Sequence, residues 1–233
     1  MKRVAIVQSN YIPWKGYFDL IAHVDEFILY DEVQYTRRDW RNRNKIKTPN
    51  GLQWLTVPVQ VKGRYSQRIC DTMIDSGDWA AKHWRALRSN YARARHFDET
   101  AEWLETLYKA AAGEKSLSGM NRSFLEEVCA RLEIDTSISD SRDYSAAGDP
   151  SEYLCQLTMA SGGDIYVSGP AARSYLCEDV FAANGISVEW FDYEGYREYD
   201  QLWGAFEHGV TILDLIFNCG PNAPDYLRYV RSG

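Results

Sequence analysis

The sequence predicts an α/β fold with a doubly wound parallel sheet, and three observations at its start carry that prediction. Residues 3–8 form a short apolar run with β-branched members, ended by the turn signal of Asn10 and Pro13. Residues 14–23 then repeat apolar side chains at helical spacing behind Pro13, a natural helix start. Residues 26–30 (Glu-Phe-Ile-Leu-Tyr) read as a second strand. Strand, helix and strand within about thirty residues make a βαβ unit, which requires a parallel pair and a right-handed crossover.

The remaining elements follow in chain order. Residues 36–47 are a basic stretch (Arg37, Arg38, Arg41, Arg43, Lys45, Lys47) interrupted by Asp39, and Pro49-Asn50-Gly51 then turns into a strand over 53–59. Asn50-Gly51 is a hairpin turn pair. Residues 78–131 are rich in Ala, Leu, Glu, Lys and Arg at helical periodicity, broken around 113–119, so two or three helices are expected. Residues 137–141 read as a short strand and 145–151 as a polar connector. Pro150 opens a helix that Gly162-Gly163 ends, and 164–167 is another buried strand. Ser168-Gly169-Pro170 turns into a helical segment at 171–176, residues 186–191 form the last strand, and a short helix falls near 210–217. This alternation predicts a Rossmann-like sheet: one α/β domain over residues 1–233 with a helical insert at about 78–132.

Composition narrows the function classes. The opening apolar run is too short for a secretory leader, and no stretch approaches the roughly 20 apolar residues of a membrane span, so a soluble, cytoplasmic chain is expected. Five cysteines stand singly with no CxxC pair, which argues against a disulfide framework and a zinc site; each is expected in the core. Four dispersed histidines show no ligand spacing, so no metal is expected and a histidine acid/base mechanism is disfavoured. A net charge of −7 argues against nucleic acid as a partner. Sixteen tyrosines and eight tryptophans suit a carbohydrate or nucleotide pocket or a homo-oligomer interface, besides a tryptophan-rich core.

Ligands of open parallel sheets bind beyond the carboxyl ends of the strands, and four such ends here are polar. The first is Gln8-Ser9-Asn10-Tyr11-Ile12-Pro13-Trp14-Lys15-Gly16-Tyr17. There Gly16 permits close approach at a helix N-terminus and Lys15 adds a point charge, where the bland reading is an ordinary turn with Trp14 as packing. The second is Asp31-Glu32-Val33-Gln34-Tyr35, followed by arginines interleaved with Trp40, a pattern for a phosphate or sugar-nucleotide contact rather than a solvated face. The third is Ser168-Gly169-Pro170, with Arg173 and Tyr175 following on, and the fourth pairs Ser141 with Arg142. No P-loop, nucleophile elbow or zinc motif is present.

These motifs, together with Trp40-Arg41-Asn42-Arg43, Trp54-Leu55-Thr56-Val57-Pro58-Val59 and Tyr166-Val167-Ser168-Gly169-Pro170, resemble the WbqC-like family over almost the whole chain. The resemblance implies bacterial surface-polysaccharide (O-antigen) biosynthesis. Ser9 departs from it where proline is expected. The opening is also similar to the nucleotidylyltransferase-like fold, particularly pantothenate synthetases, which join a carboxylate to an amine through an acyl-adenylate. Trp14-Lys15-Gly16-Tyr17 falls on the His-x-Gly-His signature of that fold, with aromatics at both histidine positions, and Gln34-Tyr35 falls on its Gln-Phe pair. Through that likeness ATP enters as a cofactor; no phosphate lid is visible near the C-terminus.

The resemblances together imply an enzyme that forms an amide between a small acyl or aminoacyl group, such as glycine, and a nucleotide-linked amino sugar. In that reading Gln8, Lys15, Tyr17, Asp31 and Gln34 are catalytic: Gly16 and Lys15 hold an anion, and Gln8 and Gln34 orient the acyl portion. Arg38, Arg41 and Arg43 meet a diphosphate, and Asn10, Tyr11, Trp14, Trp40, Asn42, Ser141, Arg142, Ser168, Gly169, Pro170, Arg173 and Tyr175 complete the substrate site. The rival readings are a nucleotidyl- or sugar-transferase of the same pathway and a ligand-binding protein that lost the histidines.

Overall fold

A computed structural model describes residues 1–230. Its first strand, β1 (Arg3–Val7), has a buried centre and leads through α1 (Lys15–His23) to the fully buried β2 (Glu26–Leu29). A hairpin of β3 (Arg43–Thr48) and β4 (Gly51–Thr56) follows, then three helices: α2 (Trp79–Tyr91), α3 (Phe97–Ala111) and α4 (Leu117–Arg131). The chain returns to the sheet as β5 (Ser137–Asp140), α5 (Pro150–Ala160), β6 (Ile165–Ser168), α6 (Glu178–Ala183) and β7 (Ser187–Trp190). It closes with α7 (Ile212–Cys219).

The five-stranded sheet runs β5-β2-β1-β6-β7 with every pair parallel. Counted along the chain, that order is 3-2-1-4-5, the arrangement of doubly wound, Rossmann-like folds. The winding reverses between β1 and β6, which opens a crevice beyond their carboxyl ends. Alternation along β1 explains the layers. Val4 and Ile6 point into a cluster with Leu154, Cys155 and Phe181 under α5 and α6, while Ala5 joins the larger core under α1, α7 and the three-helix region. Both faces are covered, so the central strands read as continuous apolar runs.

Local chemistry sets the helix ends where the sequence signals were clear. Asp149 and Glu152 form a capping box around Pro150 at the start of α5. The Thr211 hydroxyl accepts from the Leu213 amide at the start of α7.

Three details differ from the sequence expectations. The basic stretch contains strand β3, whose Arg43 and Lys45 alternate with buried Asn44 and Ile46, so charge masked the strand period. The segment at 171–176 is a 3-10 turn, Pro170–Ser174, and the six-residue α6 is too short to leave a periodic signal. All five cysteines are free; Cys129, Cys155 and Cys219 are buried as expected, but Cys177 is exposed because it precedes α6 at the surface. Among the described residues no helix is long and apolar enough to cross a membrane, and no group of three His, Cys, Asp or Glu side chains could hold a metal ion.

Candidate functional site

The crevice side of β1 carries a cavity of about 320 Å³, walled by Asn10, Pro13, Trp14, Trp40, Asn44, His208 and Gly209. The turn after β1 shapes it. Buried Ile12 holds a left-handed backbone, φ +37°, which costs a β-branched residue of order 1–3 kcal/mol. Asn44 on β3 clamps this turn, its Nδ2 donating to the carbonyl oxygens of Ile12 at 2.9 Å and Tyr11 at 3.2 Å. Strain held this way at a strand end is the kind of feature that accompanies ligand sites.

A fixed positive charge stands beside the cavity. Arg41 donates from Nη2 to the Gln8 side-chain oxygen at 3.1 Å and from Nη1 to that of Asn10, and its own carbonyl accepts from Asn121 at 2.9 Å. Amide oxygens orient the guanidinium, and the Asp39 carboxylate forms an ion pair with its Nη2 at 3.6 Å. The Tyr17 hydroxyl donates to the Gln8 carbonyl at 2.9 Å, so the chain from α1 to Arg41 is continuous.

Aromatic faces and further cations extend from Arg41 along the hairpin. Trp40 and Trp54, 41% and 40% exposed, have ring centroids 5.3 Å apart. The Arg43 guanidinium lies 3.8 Å from the Trp54 ring, and the Lys45 ammonium is within 6 Å of both indoles. Exposed indoles offer flat apolar faces, and cations beside them match the mixed chemistry of a sugar joined to a phosphate.

The WbqC-like protein family matches residues 8–226. The chain belongs to this family. A WbqC-like relative, "Uncharacterized protein Rv1507c" of Mycobacterium tuberculosis (strain ATCC 25618 / H37Rv), is 59% identical over 232 residues, covering 100% of both chains. No solved structure matches.

The WbqC-like motifs separate into groups in three dimensions. Asn10, Trp14 and Trp40 line the cavity, Arg41 is joined to it through Asn10 and to Gln8, and Tyr17 lies behind Gln8. Asp31 lies beneath them, fully buried, accepting from the Ser9 amide at 2.8 Å and from the Ser118 hydroxyl, a support for the strand ends rather than a cavity wall. Tyr11 points into the helical region, 0% exposed, with its hydroxyl 2.6 Å from that of Tyr108 and 2.8 Å from His83 Nδ1. Its expected place in a substrate site is corrected: it anchors the three helices to the sheet.

Lys15 and Gly16 also sit differently from the expectation. Lys15 is 3% exposed, its ammonium donating to the Arg197 carbonyl at 2.7 Å among the rings of Tyr196, Tyr199 and Phe206. Burial lowers its pKa to about 8, against the opposing pull of Cys219, Asp19 and Glu198. The ammonium is sequestered and does not present a charge to an anion. A Cβ on Gly16 would stand 2.3 Å from the Trp14 indole, so the small residue admits that ring rather than a ligand.

The other strand ends are paired within themselves. Ser141 and Tyr153 both donate to Glu32, at 2.9 and 2.7 Å, and Arg142 is forked onto Asp140 at 2.8 and 2.7 Å, which neutralises its charge. The Ser168 carbonyl accepts from Phe191 at 2.8 Å, and a Cβ on Gly169 would lie 3.5 Å from the Tyr193 ring, ahead of the 3-10 turn that Pro170 opens. Arg173 stacks over Trp190 at 5.1 Å and Tyr175 is exposed, both apart from the cavity wall. Gln34 donates to the Tyr65 carbonyl at 2.8 Å, Arg38 is exposed with φ +59°, and Asn42 is buried against the Val57 carbonyl at 2.7 Å.

Sequence reasoning missed Asn44, His208 and Gly209. The last two come from the long connection between β7 and α7, whose tyrosines and lack of periodicity were the only signal of an ordered functional loop. Its order comes from polar anchors: Tyr196 donates to Asp19 and Tyr199 to Asp214, each at 2.8 Å.

Proposed function

We propose that this WbqC-like protein acts in bacterial surface-polysaccharide biosynthesis, transferring a small acyl or aminoacyl group onto the amine of a cytoplasmic nucleotide-linked amino sugar. The observation that carries the reading is the cavity beside the oriented Arg41 guanidinium, flanked by Trp14 and Trp40 with Lys45 close behind. Indole faces support a sugar ring, and Arg41 with Lys45 supports its diphosphate. The volume suits a sugar with part of its phosphate, leaving the nucleoside to run over the exposed Trp54 face. Rigid anchoring of the loop supports catalysis by positioning.

A thermal-shift panel of UDP- and dTDP-sugars, their amino derivatives, ATP and glycine tests the reading. An amino-sugar nucleotide at a hundred times its Kd adds about 2.7 kcal/mol, raising the melting temperature by a few degrees. No stabilisation by any sugar nucleotide overturns it. The buried, caged Lys15 favours one rival, a ligand-binding protein without turnover, and amide product in the same mixtures overturns that rival.

A further inference from the structure

Three of the four histidines are engaged: His83 with Tyr11, His23 with Glu189 and His96 with Glu99. His208 is the exception among the described residues. It lines the cavity beside Asn10, Trp14, Trp40 and Asn44, exposed at its rim, with no residue hydrogen-bonded to its ring nitrogens. Its ring meets Phe206 in a T-shaped contact at 4.6 Å, which holds the imidazole at the cavity rim.

The backbone that carries it is held on both sides. The Glu207 amide donates to Gln201 at 2.9 Å, Gln201 accepts from Lys47 at 2.8 Å, and the Thr211 amide donates to the Lys45 carbonyl at 2.9 Å. An unpartnered imidazole on a pinned loop at a cavity wall is the arrangement a proton acceptor needs.

Resting on the proposed amide-forming reading, we infer that His208 is the base that takes the proton from the sugar amine as it attacks the acyl donor. The donor class is a small carboxylic acid activated as a thioester or acyl phosphate. The amine nitrogen forms a bond to the carbonyl carbon, and the bond from that carbon to sulfur or phosphate oxygen breaks. The leaving group departs with the electron pair, and the amine proton moves to the imidazole.

The surroundings keep the imidazole free to accept. Desolvation of its packed face and then the Lys15 ammonium hold its pKa below the ordinary histidine value, against Glu198 and Glu207. Lys45 on β3 adds positive charge nearby, its ammonium 3.5 Å from where a Cβ on Gly209 would lie.

The test uses UDP-glucosamine as acceptor and the N-acetylcysteamine thioester of glycine as donor, following amide by mass spectrometry and thiol release. Binding of UDP-glucosamine is measured separately by calorimetry. His208→Asn should keep UDP-glucosamine affinity within about threefold while the rate falls about 10²–10⁴-fold. Imidazole in the buffer should restore part of the rate to His208→Ala. The wild-type acid limb should lie below pH 6.5 and be absent from the variant. A variant rate within tenfold of wild type or an unchanged acid limb overturns this assignment alone, whereas wild-type binding without amide overturns it together with the amide-forming reading. Failure of the wild type to bind UDP-glucosamine or any other sugar nucleotide of the panel overturns it together with the reading it rests on.

Discussion

The Ser9 amide donates to the Asp31 carboxylate at 2.8 Å, and this one bond ties the end of β1 to the end of β2. The same carboxylate accepts from Ser118 on α4, so the strand end beside the cavity is fixed from sheet and helix together. Asp31 is fully buried, which makes each of these bonds expensive to lose.

Asp31→Ala therefore strands two buried donors and is expected to lower the unfolding free energy by about 2–4 kcal/mol. Asp31→Asn keeps one acceptor oxygen and is expected to lose roughly half of that. Urea denaturation followed by circular dichroism measures both. Equal losses for the two variants would mean that charge, not hydrogen-bond satisfaction, dominates.

Tyr11 and His83 give a second stability prediction, with a pH dependence. Burial drives the His83 pKa down to about 4, with the Thr56 backbone contact opposing. The unfolded chain, titrating near 6.5, then binds more protons than the folded one between those values, so stability falls as pH drops from about 6.5 to 4. One group shifted this far accounts for about 3 kcal/mol across that window. His83→Gln should flatten that part of the curve. Tyr11→Phe, which removes the hydroxyl shared with His83 and Tyr108, should cost roughly 1–2 kcal/mol and leave sugar-nucleotide affinity unchanged.

How much of this was legible in the sequence depended on periodicity. The βαβ opening and the strands ending at Val7, Leu29 and Ser168 were visible because buried parallel strands are short apolar runs between polar breaks. Strand β3 was hidden because Arg43, Lys45 and Lys47 place charge on a strand period. Gln8, Asn10, Trp40 and Arg41 were readable as candidate residues because they follow a strand end in chain order. Asn44 and His208 were not, since they reach the cavity from a hairpin and a loop brought there only by tertiary folding. Polarity misled at Lys15 and Gly16: an aromatic cage absorbs the first and an indole fills the space over the second.

Lys15 predicts an unusual gain of stability in mild alkali. Burial sets its folded pKa at about 8 against the ordinary lysine value of 10.5, so between those values the unfolded chain holds a proton that the folded chain has released. Stability rises with pH in that window, by about 3 kcal/mol if completed. Tyrosines with raised pKa values oppose the rise above pH 10, so the informative quantity is the difference between wild type and Lys15→Met from pH 7.5 to 9.5. The wild-type slope should exceed that of the variant, and parallel curves would place the ammonium in contact with water.

Arg41 and Trp40 separate binding from folding. Lysine at position 41 cannot reach the Gln8 and Asn10 oxygens together, because it lacks the planar fork. Arg41→Lys is expected to weaken a UDP-linked amino sugar by about 10–100-fold, equivalent to roughly 1.5–3 kcal/mol, with unfolding free energy within about 1 kcal/mol of wild type. Trp40 is 41% exposed, so Trp40→Ala should leave the melting temperature nearly unchanged while removing an apolar wall from the ligand. Calorimetric titration of both variants, with urea melts alongside, decides the matter. Affinity lost with stability intact places the sugar diphosphate between the Arg41 fork and the Trp40 face, whereas unaltered affinity in both moves the ligand away from this end of β1.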